Sequence, residues 1–293
     1  MWTGLGVKRR QNMRCRINER DAQIERGTSL GNVAAAHCPG ADLFILNGCP
    51  VTPETIPAEG DAIVFIRRGA MPAPEELDAL LAARHTPGVH EKLKKASVGI
   101  AGCGGLGSTV ALALARVGIG RLVLADHDVV EPSNLNRQQY YIDQIGLPKV
   151  EALRTTITRV NPTVQVTIWG ERLVPPTVAS LFAGVDVLVE ALDRADQKAM
   201  LVEAAMKAFP AKPLVLGSGM AGWGGNDRLR TRISGTMTVC GDETAEAVPG
   251  RGLMAPRVGI VAHMQANRVM ELLLGPDEGF GPELVTGRFD ETC

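Results

Sequence analysis

From Ser97 onward, short apolar runs alternate with helix-patterned segments, and that alternation constrains the fold more than any other feature. VGIAG, RLVLAD, VQVTIW, DVLVEAL and PLVLGS have strand length and little polar content, as strands covered on both faces require. Between them lie LGSTVALALARVG, KVEALRTTITRV, PPTVASLFAG and ADQKAMLVEAAMKAF, each with helical character. Such an order predicts an α/β fold with a parallel sheet between two helical layers. RLRTRISGTMTVC reads as an antiparallel addition, residues 241–256 as a long polar loop, and GIVAHMQANRVMELLLG as a closing amphipathic helix stopped by Gly275.

The segment before it has its own logic. RCRINE and QIERG read as strands, and Thr28 is placed to cap a short helix, SLGNVAAAH. DLFILNG reads as a strand ending at the turn signal Asn47-Gly48, EGD at 59–61 as a turn, and AIVFIRR as a last strand. This predicts a small α+β unit, one helix packed across a mixed sheet. Prolines 72 and 74 open a linker, a helical pattern runs from Glu75 to Arg84, and Pro87-Gly88 breaks it before another short helix. The expected organisation is a disordered extension over 1–12, with Met13 as a candidate start, then a small domain at 13–70. Linker and helices follow at 71–96, and a nucleotide-binding domain occupies 97–293.

Composition excludes several classes. Net charge is −1, which makes no electrostatic case for nucleic acid or an anionic membrane. The longest charge-free stretch, Ser97 to Ala115, could span a bilayer by length alone, but its bunched glycines demand a turn. Cys15, Cys38, Cys49, Cys103, Cys240 and Cys293 share no spacing, a pattern suited to the cytoplasm rather than to a disulfide scaffold. The basic N-terminal residues lead into no apolar targeting segment.

The first strand of the alternating region runs into GCGGLGS. Gly102, Gly104 and Gly107 satisfy the nucleotide fingerprint in its strand–turn–helix setting, where bare backbone lets phosphates reach N–H groups at a helix N-terminus. A tight turn with no ligand is the plain alternative. Asp126 ends the second strand, at a spacing suited to a ribose-holding carboxylate or to a turn aspartate. Then comes VVEPSNLNRQQY, far more polar than a turn needs. A guanidinium with flanking amides suits a triphosphate, since Arg137 can fork onto phosphate oxygens. Alternatively Arg137 pairs with Glu131 or Asp143, and Lys149 is a solvated helix residue. These residues alone leave a dinucleotide oxidoreductase open.

GxGGLGS at 102–108, DxDxVExSNLNRQ at 126–138 and GxxKV at 146–150 together resemble the ThiF and MoeB adenylyltransferases, bacterial relatives of ubiquitin-activating enzymes. The likeness runs from about Ser97 to Gly275. INER, GTSL, NG and GD, in that order, make the front end similar to the β-grasp fold of ThiS-like sulfur carriers. The resemblance implies a Rossmann-like sheet preceded by a fused β-grasp domain, in a cytoplasmic homodimer. It implies ATP-dependent adenylation of the C-terminal glycine of a ubiquitin-like sulfur carrier, in thiamine biosynthesis. A non-catalytic carrier-binding module is the other reading of the same fusion.

Carried onto this chain, the resemblance puts Gly102, Gly104, Gly105 and Gly107 under the ATP phosphates. Asp126 holds the ribose, with Asp128 in the same nucleotide-binding set. Asn134, Arg137 and Gln138 hold phosphates, with Lys149 beside them. Asp193 binds Mg²⁺; it also stands where it could cap a helix, in competition with Asp196. Arg137, Lys149 and Asp193 form the implied catalytic set.

Four departures stand out. Cys240 is alone in TVCGD, so no structural zinc is expected. Residues 84–95 do not match the family segment whose arginine reaches the partner's ATP, which leaves only Arg84 as a candidate. The loop 248–256 holds no cysteine, and Cys103 and Cys240 read as packing residues. Finally, Arg68-Gly69-Ala70-Met71 continues into more chain where a carrier ends in a free Gly-Gly.

Overall fold

The computed structural model describes residues 12–70 and 88–275, together with Leu77 and Leu80. Residues 1–11 of the expected extension lie outside the described residues, as do Arg84, His85, Cys293 and the Glu75–Arg84 helix apart from those two leucines. The chain divides into two compact units at His85–Thr86.

The first unit contains β1 (Asn12–Ile17), β2 (Arg20–Glu25), α1 (Leu30–His37), β3 (Leu43–Leu46), β4 (Cys49–Val51) and β5 (Ala62–Ile66). Asn12, assigned by sequence to the extension, already pairs with Glu25. The strands form a mixed sheet in the order β2-β1-β5-β3-β4, with β1 and β5 parallel. Along β1 every second residue is buried, so Met13, Cys15 and Ile17 face Leu30 and Val33 of α1 in one core. Asn18 and Glu19 both take positive φ, as a two-residue hairpin turn requires. The Asn18 side chain then bonds across to β5, donating to the Phe65 carbonyl and accepting from the Phe65 N–H at 2.9 Å.

The second unit contains α2 (Val89–Lys95), β6 (Ser97–Ala101), α3 (Gly105–Arg116), β7 (Arg121–Ala125), α4 (Lys149–Val160), β8 (Gln165–Trp169), α5 (Pro175–Leu181), β9 (Val187–Glu190), α6 (Ala195–Ala208), β10 (Leu214–Gly217), β11 (Arg230–Ser234), β12 (Met237–Gly241) and α7 (Ala255–Leu274). Its sheet runs β11-β12-β10-β9-β6-β7-β8. The expected strands all form. The predicted antiparallel addition divides: β12 lies parallel to β10, and only the edge strand β11 is antiparallel. The final helix starts at Ala255, taking its first turn from the segment read as loop, with Pro256 where a missing N–H costs nothing.

β6 is buried along its whole length, and its residues alternate between two cores. Val98 and Ile100 join Leu122, Val189 and residues of α3, α4 and α7; Ala101 joins Val123, Leu188, Phe182 and residues of α6. Close approach decides who sits where: a Cβ at Gly99 would lie 2.5 Å from the Phe182 ring. The linker reading stops short at α2, which belongs to the second unit. The N–H groups of Gly120 and Arg121 bond the carbonyls of Leu93 and Ala96, anchoring α2 to the start of β7.

Phe182 is fully buried beneath the central strand. Phe182→Ala should lower the unfolding free energy by about 3–5 kcal/mol, measured by urea denaturation.

Candidate functional site

The carboxyl ends of β6, β7 and β9 meet at one edge of the sheet, and the candidate residues gather there. Gly102 has φ +94 and lies so close to β9 that a Cβ would stand 2.5 Å from the Ala191 carbonyl oxygen. At Gly107 a Cβ would fall 1.8 Å from the Gly102 carbonyl, so α3 packs onto the strand end only without a side chain there. Gly105 fits tightly against Val258 of α7 and has the backbone and stem of Arg137 beside it. Gly104 differs. Within 4 Å of its would-be Cβ lies only the Gln138 amide nitrogen, at 3.8 Å, so open space stands before the N-terminus of α3.

Asp126 closes the turn from the next strand. Its carboxylate accepts the Cys103 N–H at 2.6 Å and the Asp128 N–H at 2.9 Å. Burial pushes its pKa above the ordinary carboxylate value, against the pull of Lys149 and both N–H donors. Lys149 is buried, not solvated as the plain sequence alternative had it. Its Nζ donates to Asp128 at 2.8 Å, and its backbone N–H bonds the Asp128 carbonyl. Burial resists, but that hydrogen bond and charge outweigh it and hold Asp128 below the usual range.

The polar run holds one 3-10 turn, Pro132–Asn134, with a second just after it, Ile142–Gln144, and the run is knitted to α3. Asn134 is buried and accepts the Glu131 N–H at 3.0 Å, so its side chain closes its own turn. The Gln139 N–H donates to the Ser108 hydroxyl, and the Tyr140 phenol donates to the Cys103 carbonyl at 2.7 Å. Two groups keep unused binding capacity. Gln138 is buried, and its Oε1 has no hydrogen-bond partner. Arg137 bonds the Ser133 carbonyl and the Asn136 side chain but forms no ion pair among the described residues, so neither Glu131 nor Asp143 neutralises it.

Asp193 is exposed after β9 and caps nothing: Arg194 occupies the N-cap of α6 and bonds Asp196. Its carboxylate is a hard oxygen donor of the kind Mg²⁺ takes. The turn carrying it is fixed from beneath by a residue that sequence reasoning passed over within DVLVEAL. Glu190, fully buried, accepts the Leu192 N–H at 2.7 Å and pairs with Lys198, which also donates to the Leu192 carbonyl. Burial pushes the Glu190 pKa up, against Lys198. Asp126, His127 and Asp128 offer donor atoms within 4.8 Å of one another, but Lys149 already compensates Asp128. Cys103 is fully buried; burial and the Asp126 charge push its thiol pKa well up, so it is no nucleophile. Cys240 is likewise buried, with its pKa raised by burial.

A nucleotide fits these residues. Open space lies before a helix N-terminus, an uncompensated guanidinium flanks it, and a buried amide oxygen waits there for a donor.

Comparison with known proteins agrees. A family model described as "ThiF family" matches residues 78–289, and one described as "ThiS-like ubiquitin" matches residues 13–69. The molybdopterin-synthase adenylyltransferase of Escherichia coli (strain K12) is 34% identical over 202 residues, 63% of this chain and 76% of that protein. The adenylyltransferase and sulfurtransferase MOCS3 of Dictyostelium discoideum is 32% identical over 194 residues, 64% of this chain but 45% of its own length. Among solved structures, E. coli tRNA N6-threonylcarbamoyladenosine dehydratase, TcdA, in complex with ATP superposes with a TM-score of 0.57 at 25% identity, covering 65% of this chain and 91% of that one.

The two aspartates carry opposite pH signatures. The raised pKa of Asp126 means its contribution to stability is present below the ordinary carboxylate value and lost as pH rises through the raised one. The lowered pKa of Asp128 means its contribution is present above the ordinary value and lost as pH falls through the lowered one. Lys149 lowers both, so Lys149→Met should move both carboxyl titrations to higher pH, read by ¹³C NMR.

Proposed function

The chain belongs to the ThiF family, and we propose that it adenylates the C-terminal glycine of a separate ThiS-like sulfur carrier with ATP, in the thiazole branch of thiamine biosynthesis. The observation that carries this reading is Arg137. Its stem lies beside Gly105 of a glycine turn whose Gly104 side is open, and its guanidinium forms no ion pair with a carboxylate among the described residues. The ATP complex of TcdA and the adenylyltransferase name of the E. coli relative support the same chemistry. The adenylyltransferase relative and the ThiS-like match at 13–69 both support a ubiquitin-like carrier as the partner class. The working division is a carrier-like domain at 13–70, a connecting region at 71–96 and a catalytic domain at 97–293. The working assembly is a cytoplasmic homodimer.

In this reading the carrier's terminal carboxylate, ionised at neutral pH, attacks the α-phosphorus of ATP. A carboxylate oxygen–phosphorus bond forms, the bond to the leaving pyrophosphate breaks, and no general base is required. Gly102, Gly104, Gly105 and Gly107 let the phosphate chain approach the backbone, and Asp126 orients the ribose. Arg137 forks onto phosphate oxygens beside Gln138, and Asn134 holds the turn that carries them. Lys149 is a fixed charge, held by Asp128, that favours the developing negative charge. Mg²⁺, when bound, neutralises phosphate charge, and Asp193 is the residue that would hold it. Most of the rate enhancement then comes from positioning and electrostatics. The fused carrier-like domain is no substrate as it stands, because Gly69 is followed by more chain.

Arg137→Ala should abolish acyl-adenylate formation, followed as ATP–pyrophosphate exchange, and leave the circular dichroism spectrum unchanged. Normal turnover would remove Arg137 from the phosphate site. Asp193→Ala should raise the Mg²⁺ concentration needed for half-maximal exchange. A pull-down with mass spectrometry should recover a small protein ending in Gly-Gly that has gained the mass of AMP.

A further inference from the structure

Val258 and Arg257 are neighbours in the first turn of α7, yet they serve different concavities. Val258 packs against Gly105 of the nucleotide turn. Arg257 lines an open cleft of ≈ 230 Å³ whose other walls are residues 221–225, Arg228, Asp242 and Arg251. None of the nucleotide-site residues above contributes to it.

The cleft's charge does not balance. Asp242 is its one carboxylate, and it is fully used: it accepts the N–H groups of Thr244 and Ala245 at 2.9 and 2.7 Å and Nη2 of Arg257 at 2.6 Å. Arg257, buried at 5% exposure, bonds the Gly224 and Gly225 carbonyls through Nη1, while its buried Nε has no partner. Arg228 and Arg251 are exposed and form no ion pair among the described residues. Glycines let both stems lie down on the loop: a Cβ at 222 would meet Arg251 Nε at 3.2 Å, and one at 225 would meet Arg228 Nε at 3.5 Å. Three guanidiniums therefore share one concavity with a single carboxylate, which Arg257 already engages, so the cleft carries net positive charge that an entering anion would balance. The Trp223 indole, 71% exposed on the same wall, adds a flat face.

We propose that this cleft is an anion-binding site distinct from the nucleotide turn, taking a carboxylate or phosphate oxyanion through forked hydrogen bonds from Arg228 and Arg251. Arg257 and Asp242 hold the loop that forms the cleft. The planar guanidinium matches either oxyanion, so the two sources share one chemistry.

The test is isothermal titration calorimetry of the full chain with inorganic phosphate and, separately, with succinate. It is repeated on Arg137→Ala, Arg228→Ala and Arg251→Ala, with circular dichroism confirming that each folds. One saturable site should persist in Arg137→Ala and weaken about tenfold or more in each cleft variant. Tighter phosphate binding identifies a phosphate ligand, and tighter succinate binding a carboxylate. The proposal is overturned if neither anion saturates a site. It also fails if Arg137→Ala removes the binding while both cleft variants keep it, since the anion would then sit on the nucleotide turn.

Discussion

The second unit depends on one backbone contact: α3 touches the end of β6 with no side chain between them. Where a methyl group at position 107 would lie, the Gly102 carbonyl already stands at 1.8 Å. This contact sets the distance from helix to sheet and aims the helix N-terminus at the sheet edge. It also makes room for Gly102 to run against Ala191, bringing the turn after β9 beside the turn after β6. Local sterics thus decide which loops can share a ligand. The electrostatics are added afterwards.

Those electrostatics have two tiers. The lower tier is paired, with Lys149 and Glu190 its buried members: Asp126 with two N–H donors, Lys149 with Asp128, Glu190 with Lys198. Each pair fixes a loop, since removing one partner would strand a charge in a poorly hydrated place. The upper tier, Arg137 and Asp193, forms no ion pair among the described residues. A site that must meet a highly charged ligand is served by rigid, neutralised supports beneath unneutralised groups, because the ligand then supplies the missing charge.

Much of this was legible in the residues. The five parallel strands and their helices followed from periodicity, and the glycine turn and the Asp126–Gln138 run were readable because spacing ties each to backbone geometry. What escaped was whatever periodicity does not carry. Three-residue β4, Cys-Pro-Val, is too short to show a pattern. α7 begins early because Pro256, read as a loop residue, suits the first turn of a helix. The burial of Lys149 was not readable from sequence, because it depends on Asp128 reaching it from the end of β7. Glu190 hid in an apolar run, its charge answered by Lys198 in the first turn of α6. The arginine cleft was invisible for a plainer reason. Its members come from three separate segments, brought together by the return of β11 and β12.

The outermost strand of the larger sheet also shapes how these molecules meet one another. β11 shows all five residues to solvent, and its far side pairs with no strand among the described residues of its unit. Such a border invites a stray chain to add on and extend the sheet. Here Arg230 and Arg232 decorate it, both leaning on Glu243 at the end of β12. Bulky, charged side chains along that rim make it a poor template for an added strand, so crowding should not extend this sheet into its neighbours.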